Sequence, residues 1–443
     1  MIKMKSLVGG QHNIKKIIFC IFLICFSKAS ATTIHDFQIE NLIKDQLNLI
    51  QKNSTNIKIE YSIVLDENPN AFINEKRKLF ITTGLIKYVP SYKALIGVLA
   101  HELGHLESFH ITKRIDSLKK INTFNKIGNI SLIATSILAN NSDYLMQSLI
   151  TSQVNIKNYY SYFSREQERE ADTFAAKKLK ELNISSKDLI KFLIFLEKKS
   201  FESGISNDDY KFSSHPVYEE RYKILENNSV VKSNLQNNNL NINFDFSKAK
   251  LFGFTSKNNN EFYNHLDGDY YNFANSILLS RKGRLKESLK ILNNIINKYP
   301  EYIFLIETKA DLLLAHGFTN EAKKFYQKVL NNQNNNKYVK KQLFKIEYEN
   351  YEKNSLKDNR KMFDYYSDLI FIFQYDILLQ KKFKNLANLL NKDDWVIFLE
   401  GNIFMINSKN DKALQRYNDI ISGSTNKKLQ NYAKEKKEII SDE

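Results

Sequence analysis

The stretch VLAHELGH, residues 98–105, places two histidines four positions apart, with a glutamate directly after the first. Positions i and i+4 share one face of a helix, so both imidazoles can reach the same ion. Zn²⁺ accepts imidazole nitrogen, and Glu102 lies where it can deprotonate a metal-bound water. The alternative is a surface helix with two unrelated histidines. The apolar residues before His101 favour a buried helix, in which histidines need polar partners.

A catalytic zinc ion also needs a third protein ligand and an open position. The segment REQEREAD, residues 165–172, is the next candidate, although such an acidic run is by default a solvated helix face. Glu168 and Asp172 are four residues apart on one face, and Ala171 indicates that part of this helix is buried. One carboxylate could bind zinc while the other accepts the second N–H of a ligand histidine.

In combination these features resemble the M48 family of zinc metallopeptidases. The other matching positions lie within roughly residues 60–225 and are Asn70-Ala71-Phe72, Thr83-Gly84-Leu85, His110, His215-Pro216 and Arg221. A signal peptide before this region and repeats after it resemble the periplasmic BepA-type members. The resemblance implies an exported protease that acts in outer-membrane β-barrel assembly and quality control.

The resemblance also implies a role for each matching residue. His101, His105 and Glu168 would be the zinc ligands, Glu102 the general base, and Asp172 the residue that orients a ligand histidine. His110 is interpreted as structural, because it lies off the ligand face.

Three further positions have alternative interpretations. His215 corresponds to a histidine that approaches the metal in BepA-type members, where it could fill the open position or steady the oxyanion. It could also be a packing histidine before Pro216. Arg221 would pair with the carboxylates or have a surface role. Asn70, Ala71 and Phe72 would form an edge strand along which substrate backbone adds.

The first 31 residues have the pattern of a cleavable export signal. Lys15 and Lys16 precede an apolar run, residues 17–26, which is too short to span a bilayer stably. The small residues that follow predict cleavage after Ala31, and an uncleaved membrane anchor is the alternative. Both cysteines of the chain lie in the apolar run, so the mature protein would have no disulfide and no thiolate ligand.

The chain is basic, with a formal net charge of +16. Residues 1–31 hold five lysines and no acidic residue, which leaves +11 for the mature chain. Scattered solvated lysines are the simplest explanation, and attraction to an anionic membrane surface is the alternative. The sequence has no basic stripe with interleaved aromatics, so nucleic acid is not an expected partner.

Composition and periodicity predict a mainly α-helical protein. Only four prolines occur in 443 residues, which disfavours many short strands bounded by turns. Apolar spacing predicts a strand and hairpin in residues 57–82, and helices at 35–56, 91–111, 157–181, 186–201 and within 213–227. The catalytic region would therefore be an α+β domain with a small sheet, of zincin type as the resemblance implies. Residues 127–150 are apolar and would pack on this core or contact a membrane interface.

The C-terminal part of the chain repeats. Gly283 and Gly317 are 34 residues apart, with small and apolar residues at the same offsets from each. A third unit near Gly401 lacks the turn glycine. This pattern resembles tetratricopeptide repeats, which form a helical solenoid. An Asn- and Ser-rich stretch, residues 227–260, is interpreted as a linker or irregular junction before the repeats.

These observations predict four segments and one function. The segments are a signal peptide (1–31), a zinc metallopeptidase domain (32–226), the junction (227–260) and a repeat domain (261–443). The function would be that of a periplasmic endopeptidase with one zinc ion, which cleaves misassembled outer-membrane proteins and contacts them or their assembly machinery through the repeats. The alternative is a repeat-based chaperone or adaptor with little proteolysis. The complete set of ligands and base favours the peptidase, because an adaptor has no use for Glu102.

Overall fold

The computed structural model describes residues 33–52, 59–74, 77–108, 163–202, 219–230 and 238–441. The predicted signal peptide, His110, residues 127–150 and His215 lie outside the described residues. The chain forms two compact units. The first comprises the described residues of Met1–Ile34 and Gln46–Gln236, and the second comprises those of His35–Asp45 and Asn237–Glu443.

A four-stranded sheet belongs to the first unit. Its strands are β1 (Thr33–Ile34), β2 (Tyr61–Val64), β3 (Ala71–Ile73) and β4 (Leu79–Thr82), in the spatial order β1-β2-β4-β3. β3 and β4 pair antiparallel, with Phe72 opposite Phe80, which confirms the predicted hairpin. β2 runs parallel to β4, and β1 runs antiparallel to β2. β3 is therefore an edge strand of this sheet.

Each helix predicted for the first half of the chain is present in the described residues, while the predicted positions 53–56, 109–111, 157–162 and 213–218 lie outside them. In the described residues the helices are α1 (Phe37–Gln51), α2 (Thr83–Tyr88), α3 (Tyr92–Glu107), α4 (Arg165–Glu181), α5 (Lys187–Glu202) and α6 (Glu219–Asn227). The short α2 was not predicted. It follows β4 without a loop, because the Thr82 hydroxyl caps it by accepting a hydrogen bond from the Leu85 amide.

Helix α3 lies in the core of the first unit. It begins after Ser91, whose hydroxyl accepts a hydrogen bond from the Ala94 amide and donates one to Asp188 on α5. Its apolar residues, such as Leu95 and Leu99, are fully buried. The helix that carries the two histidines is thus anchored at its start and enclosed by apolar contacts, which excludes the surface-helix alternative.

The regular elements in the described residues of the second unit are all helices, beginning with the part of α1 up to Asp45. After α1 its helices are α7 (Asn238–Thr255), α8 (Asn260–Tyr263), α9 (Gly268–Arg281), α10 (Leu285–Lys298), α11 (Phe304–Ala315), α12 (Thr319–Asn332), α13 (Lys337–Tyr348), α14 (Leu356–Tyr366), α15 (Leu369–Ile372), α16 (Ile377–Leu389), α17 (Asp393–Ile406), α18 (Asn410–Gly423) and α19 (Lys427–Ser441). The chain is therefore mainly α with one small sheet, as predicted. No helix in the described ranges has the length and apolarity needed to cross a bilayer.

The sequence repeat corresponds to helical hairpins. Gly283 and Gly317 have φ angles of 80° and 82° and form the turns of the hairpins α9–α10 and α11–α12. Ser408, with a φ of 54°, takes the same place between α17 and α18. In the third unit a serine therefore adopts the positive φ that glycine adopts in the other two. The assignment of these hairpins as tetratricopeptide repeats stays a prediction.

The stretch 227–260 is not an irregular junction along its length. Residues 238–255 form helix α7, in which Leu240, Phe244 and Phe252 are buried. The expectation of irregular structure was wrong for residues 238–255, because the asparagines lie at the start of this helix and its second half is buried on nearly every side. Tertiary burial of these apolar side chains outweighs the weak helix propensity of asparagine.

Candidate metal centre

Helices α3 and α4 come unusually close together at Gly104. A Cβ atom at this position would lie 2.9 Å from the Ala171 Cα atom and 3.1 Å from the Ala171 carbonyl oxygen. Since real Cβ atoms do not approach backbone atoms this closely, only glycine fits without a shift of the helices. The close approach lets the i, i+4 pairs of the two helices face each other.

Three buried side chains meet between these helices. His101 and His105 come from α3, and Glu168 comes from the first part of α4. The Nε2 atoms of the histidines are 3.1 Å apart. The Glu168 carboxylate reaches both, with Oε2 3.3 Å from Nε2 of His101 and Oε1 3.4 Å from Nε2 of His105. These side chains form the group of potential metal ligands found among the described residues.

The donor set fits a metal ion in chemistry and in spacing. Two imidazoles and one carboxylate are the ligands of one common class of catalytic zinc site. Ligand atoms at about 2.0–2.1 Å from a tetrahedral ion lie about 3.3 Å from one another. The observed separations of 3.1, 3.3 and 3.4 Å match this edge length. The three side chains are therefore already arranged to hold a small ion.

Asp172 fixes the orientation of the His101 ring. Its Oδ1 atom accepts a hydrogen bond from Nδ1–H of His101 at 2.9 Å. With the proton on Nδ1, the lone pair of Nε2 points toward His105 and Glu168. The sequence left open which of the two carboxylates would bind a metal and which would orient a ligand histidine. In the structure, Glu168 faces both Nε2 atoms, and Asp172 contacts the His101 ring at its other nitrogen, Nδ1.

Arg221 is the buried cation of this cluster. It lies on α6, and only 3% of its surface is exposed. Its Nε and Nη2 atoms donate to the two Asp172 oxygens at 2.6 and 2.9 Å, and Nη1 lies 3.0 Å from Glu168 Oε2. Arg221 therefore pairs with the carboxylate cluster, and its surface alternative is excluded.

The charges of the cluster shift the pKa values of its members. Burial raises the pKa of Asp172, but the positive charges of Arg221 and His101 outweigh this and hold it below its usual value. Burial lowers the pKa of His101, but the Asp172 charge and hydrogen bond outweigh burial and raise it to about 9. A metal ligand must be the neutral imidazole, so an ion that binds here competes with a proton on His101.

Phe163 is a residue of this site that the sequence reasoning missed. Its ring stacks on the His105 imidazole, with the ring centroids 3.7 Å apart and an angle of 18° between the planes. The available signal was its position directly before Ser164, which starts α4 through a capping box with Gln167. An apolar residue at that point commonly packs against the helix that follows it.

Of the remaining predicted site residues, the structure describes Glu102 and the segment Asn70-Ala71-Phe72. Glu102 is buried on α3 beside His101. Ala71 and Phe72 lie on the edge strand β3, which packs against α3, and Asn70 precedes it. Phe72 points outward, with 38% of its surface exposed, and stacks on Phe80.

Comparison with known proteins assigns this part of the chain to a family. No curated protein was found to match the chain. Residues 34–229 match the model of Peptidase family M48, and this range contains β2, β3 and β4, the two facing helices and Arg221. Residues 34–229 therefore match a metallopeptidase domain of Peptidase family M48.

Proposed function

We propose that the protein is a zinc-dependent endopeptidase with its active site between α3 and α4. The observation that carries this proposal is the buried set of His101, His105 and Glu168, whose donor atoms have the mutual spacing of zinc ligands. One zinc ion per chain would be bound. When bound, zinc polarises the scissile carbonyl and lowers the pKa of the attacking water.

The side chains of the site would perform the proton transfers. Glu102 takes a proton from the attacking water as the hydroxide oxygen bonds to the scissile carbonyl carbon. It then gives that proton to the amine nitrogen as the carbon–nitrogen bond breaks. Asp172 keeps His101 in the tautomer that leaves Nε2 free for the ion, and Arg221 holds Asp172 in place. His215 is proposed to steady the oxyanion, or to fill the open position at rest.

The substrate would be an extended polypeptide. β3 lies at the edge of the sheet and packs against the helix that carries the histidines. An edge strand offers unpaired backbone N–H and C=O groups, to which an extended chain can add as a further strand. We propose that residues 70–72 bind substrate in this way. The half-exposed Phe72 would contact its side chains.

The N-terminal pattern supports a proposal for the place of action. A basic start, a short apolar run and the Ala29-Ser30-Ala31 segment support export and cleavage after Ala31. We propose that the mature enzyme acts in the periplasm on misassembled outer-membrane β-barrel proteins. Peripheral contact with a membrane through residues 127–150 is part of this proposal.

The second unit supports a role in polypeptide binding. Its helices α12, α13 and α14 border a cleft of about 950 Å³, whose lining includes Asn331, Asn350, Asn354 and the exposed Tyr365. Amide and aromatic side chains suit contact with an unfolded chain or a partner protein. This cleft is also the observation that favours the second candidate function, a chaperone or adaptor in which binding dominates over cleavage.

Substitution of the proposed base separates the two candidates. Glu102→Gln keeps the size of the side chain but cannot accept the water proton. The zinc-loaded variant should lose cleavage of an unfolded polypeptide by at least about 100-fold, the usual contribution of a general base. Glu107→Gln, at the end of the same helix, is the matched control and should stay active. Full function of Glu102→Gln would favour the chaperone.

A further inference from the structure

The ring of Phe163 covers one face of the His105 imidazole. The near-parallel stack, with 3.7 Å between centroids, is the tightest ring contact that either histidine makes among the described residues. His105 itself is fully buried. A flat contact of this kind resists rotation of the imidazole about its χ2 angle, because rotation would drive the ring edge into the phenyl face.

The backbone at the start of α4 holds Phe163 in this place. Ser164 is the N-cap: its hydroxyl accepts a hydrogen bond from the Gln167 amide, and its own amide donates to Gln167 Oε1. In many helices an apolar residue before such a cap packs on the fourth helical residue. Here that fourth residue is Glu168. The same turn therefore directs Phe163 to the face of His105 and Glu168 to its Nε2 atom.

Among the described residues, different side chains orient the two histidine rings. The ring of His101 is oriented by the hydrogen bond from its Nδ1 atom to Asp172. The ring of His105 stacks on Phe163 and meets the His101 ring edge-on, with centroids 4.8 Å apart and an angle of 82° between the planes. Phe163 can thus fix the plane of the His105 imidazole, as Asp172 fixes the plane of the His101 imidazole.

We propose that Phe163 is a positioning residue of the metal centre, which holds the His105 imidazole in the plane where Nε2 faces His101 and Glu168. This inference rests on the proposed function, because it concerns the same metal site. If this is so, loss of the Phe163 ring should lower the metal affinity and alter the geometry of the ligands. Aromatic pairs contribute about 2- to 12-fold in an equilibrium beyond their area burial, so this is the expected size of the effect.

The test compares metal binding by variants of the full chain. Phe163→Leu keeps an apolar side chain of similar burial but removes the flat face, whereas Phe163→Tyr keeps the ring. Phe195→Leu is the matched control, because Phe195 stacks on Tyr88 within the same unit and, in the described part of the chain, its ring contacts are with Tyr88 and Phe192 rather than with the metal centre. Zn²⁺ affinity is measured by competition with a chromophoric chelator. The visible spectrum of bound Co²⁺ reports the geometry of the ligands.

Phe163→Leu should bind Zn²⁺ about 2- to 12-fold more weakly, with altered Co²⁺ bands, while Phe163→Tyr and Phe195→Leu resemble the wild type. An unchanged affinity and spectrum of Phe163→Leu would overturn this inference and leave the proposed function intact. An equal loss in Phe195→Leu would also overturn it, because the effect would then be general loosening. A wild-type chain that binds no Zn²⁺ would overturn the proposed function itself.

Discussion

Arg221 donates two hydrogen bonds to Asp172, from Nε to Oδ2 at 2.6 Å and from Nη2 to Oδ1 at 2.9 Å. This fork joins α6 to α4 and leaves the third guanidinium nitrogen 3.0 Å from the Glu168 carboxylate. Two buried carboxylates therefore share the buried Arg221 cation. Such a cluster is stable only while it is complete, because each ion has lost its hydration.

Removal of the cation should destabilise the first unit. Arg221→Met preserves much of the side-chain volume but removes the arginine counter-charge from two buried carboxylates, which costs about 3–5 kcal/mol. Arg221→Lys should recover only part of this, because an ammonium group cannot form the two-pronged contact. Urea unfolding followed by circular dichroism measures the change. The fluorescence of Trp395, the single tryptophan of the chain, reports unfolding of the second unit and so distinguishes it from unfolding of the first.

An exposed arginine provides the control for this experiment. Arg169 pairs with Glu220 at 2.8 Å, but about half of each side chain is exposed. Surface pairs contribute about 0–1 kcal/mol, so Arg169→Met should have little effect. Equal stability of Arg221→Met and Arg169→Met would show that the buried cluster does not stabilise the fold as described.

Gly104→Ala should disturb the metal centre without touching a ligand. The added methyl group would collide with Ala171 on α4, and overpacking of this kind costs about 1–3 kcal/mol. We expect weaker zinc binding as well, because α4 carries Glu168. Calorimetric zinc titration checks this prediction. Gly423→Ala, where a Cβ meets no atom within 4 Å, is the control, and undiminished zinc affinity in Gly104→Ala would refute the close-packing argument.

The sequence predicted the local elements of the site but not their partners. Two histidines at i and i+4 and two acids at i and i+4 identify the facing helices, because helical periodicity is local information. The parallel pairing of β2 with β4 is a long-range contact that leaves no local pattern. The burial of Arg221 and the stacking of Phe163 on His105 likewise depend on elements far apart in sequence.

Buried charges also shape the second unit. Lys250 on α7 lies 2.7 Å from Asp36 Oδ2 and 3.5 Å from Glu307 on α11. Burial raises the pKa of Glu307 to about 8 despite the attraction of Lys250, and the negative charges of Asp36 and Asp311 add to the rise. Asn336 donates a hydrogen bond to Glu307 at 2.7 Å. The side-chain amide oxygen introduced by Glu307→Gln could accept the same hydrogen bond.

The raised pKa of Glu307 predicts that the second unit loses stability as pH rises. The folded state holds a proton on Glu307 up to about pH 8, whereas an unfolded chain releases it near its ordinary pKa of about 4.3. The folded state therefore binds more protons in this window, and the free energy of unfolding falls as pH increases through it. Glu307→Gln should remove this dependence and gain stability relative to wild type at pH 8.

Urea unfolding at pH 5, 6, 7 and 8, followed by Trp395 fluorescence, measures this difference in the second unit. Glu321→Gln, an exposed position in the first turn of α12, is the control and should follow the wild type at each pH. A constant difference between Glu307→Gln and wild type across this range would contradict the assigned protonation of Glu307.

The central claim is the zinc site between α3 and α4, and the zinc content of the purified chain tests it most directly. Wild type should contain about one zinc ion per chain, the stoichiometry of a single catalytic site. Glu168→Ala should lose most of it, whereas Glu166→Ala, on the exposed face of the same helix, should keep it. A well-folded wild type that takes up no zinc after metal addition, or a Glu168→Ala variant that retains it fully, would contradict the account.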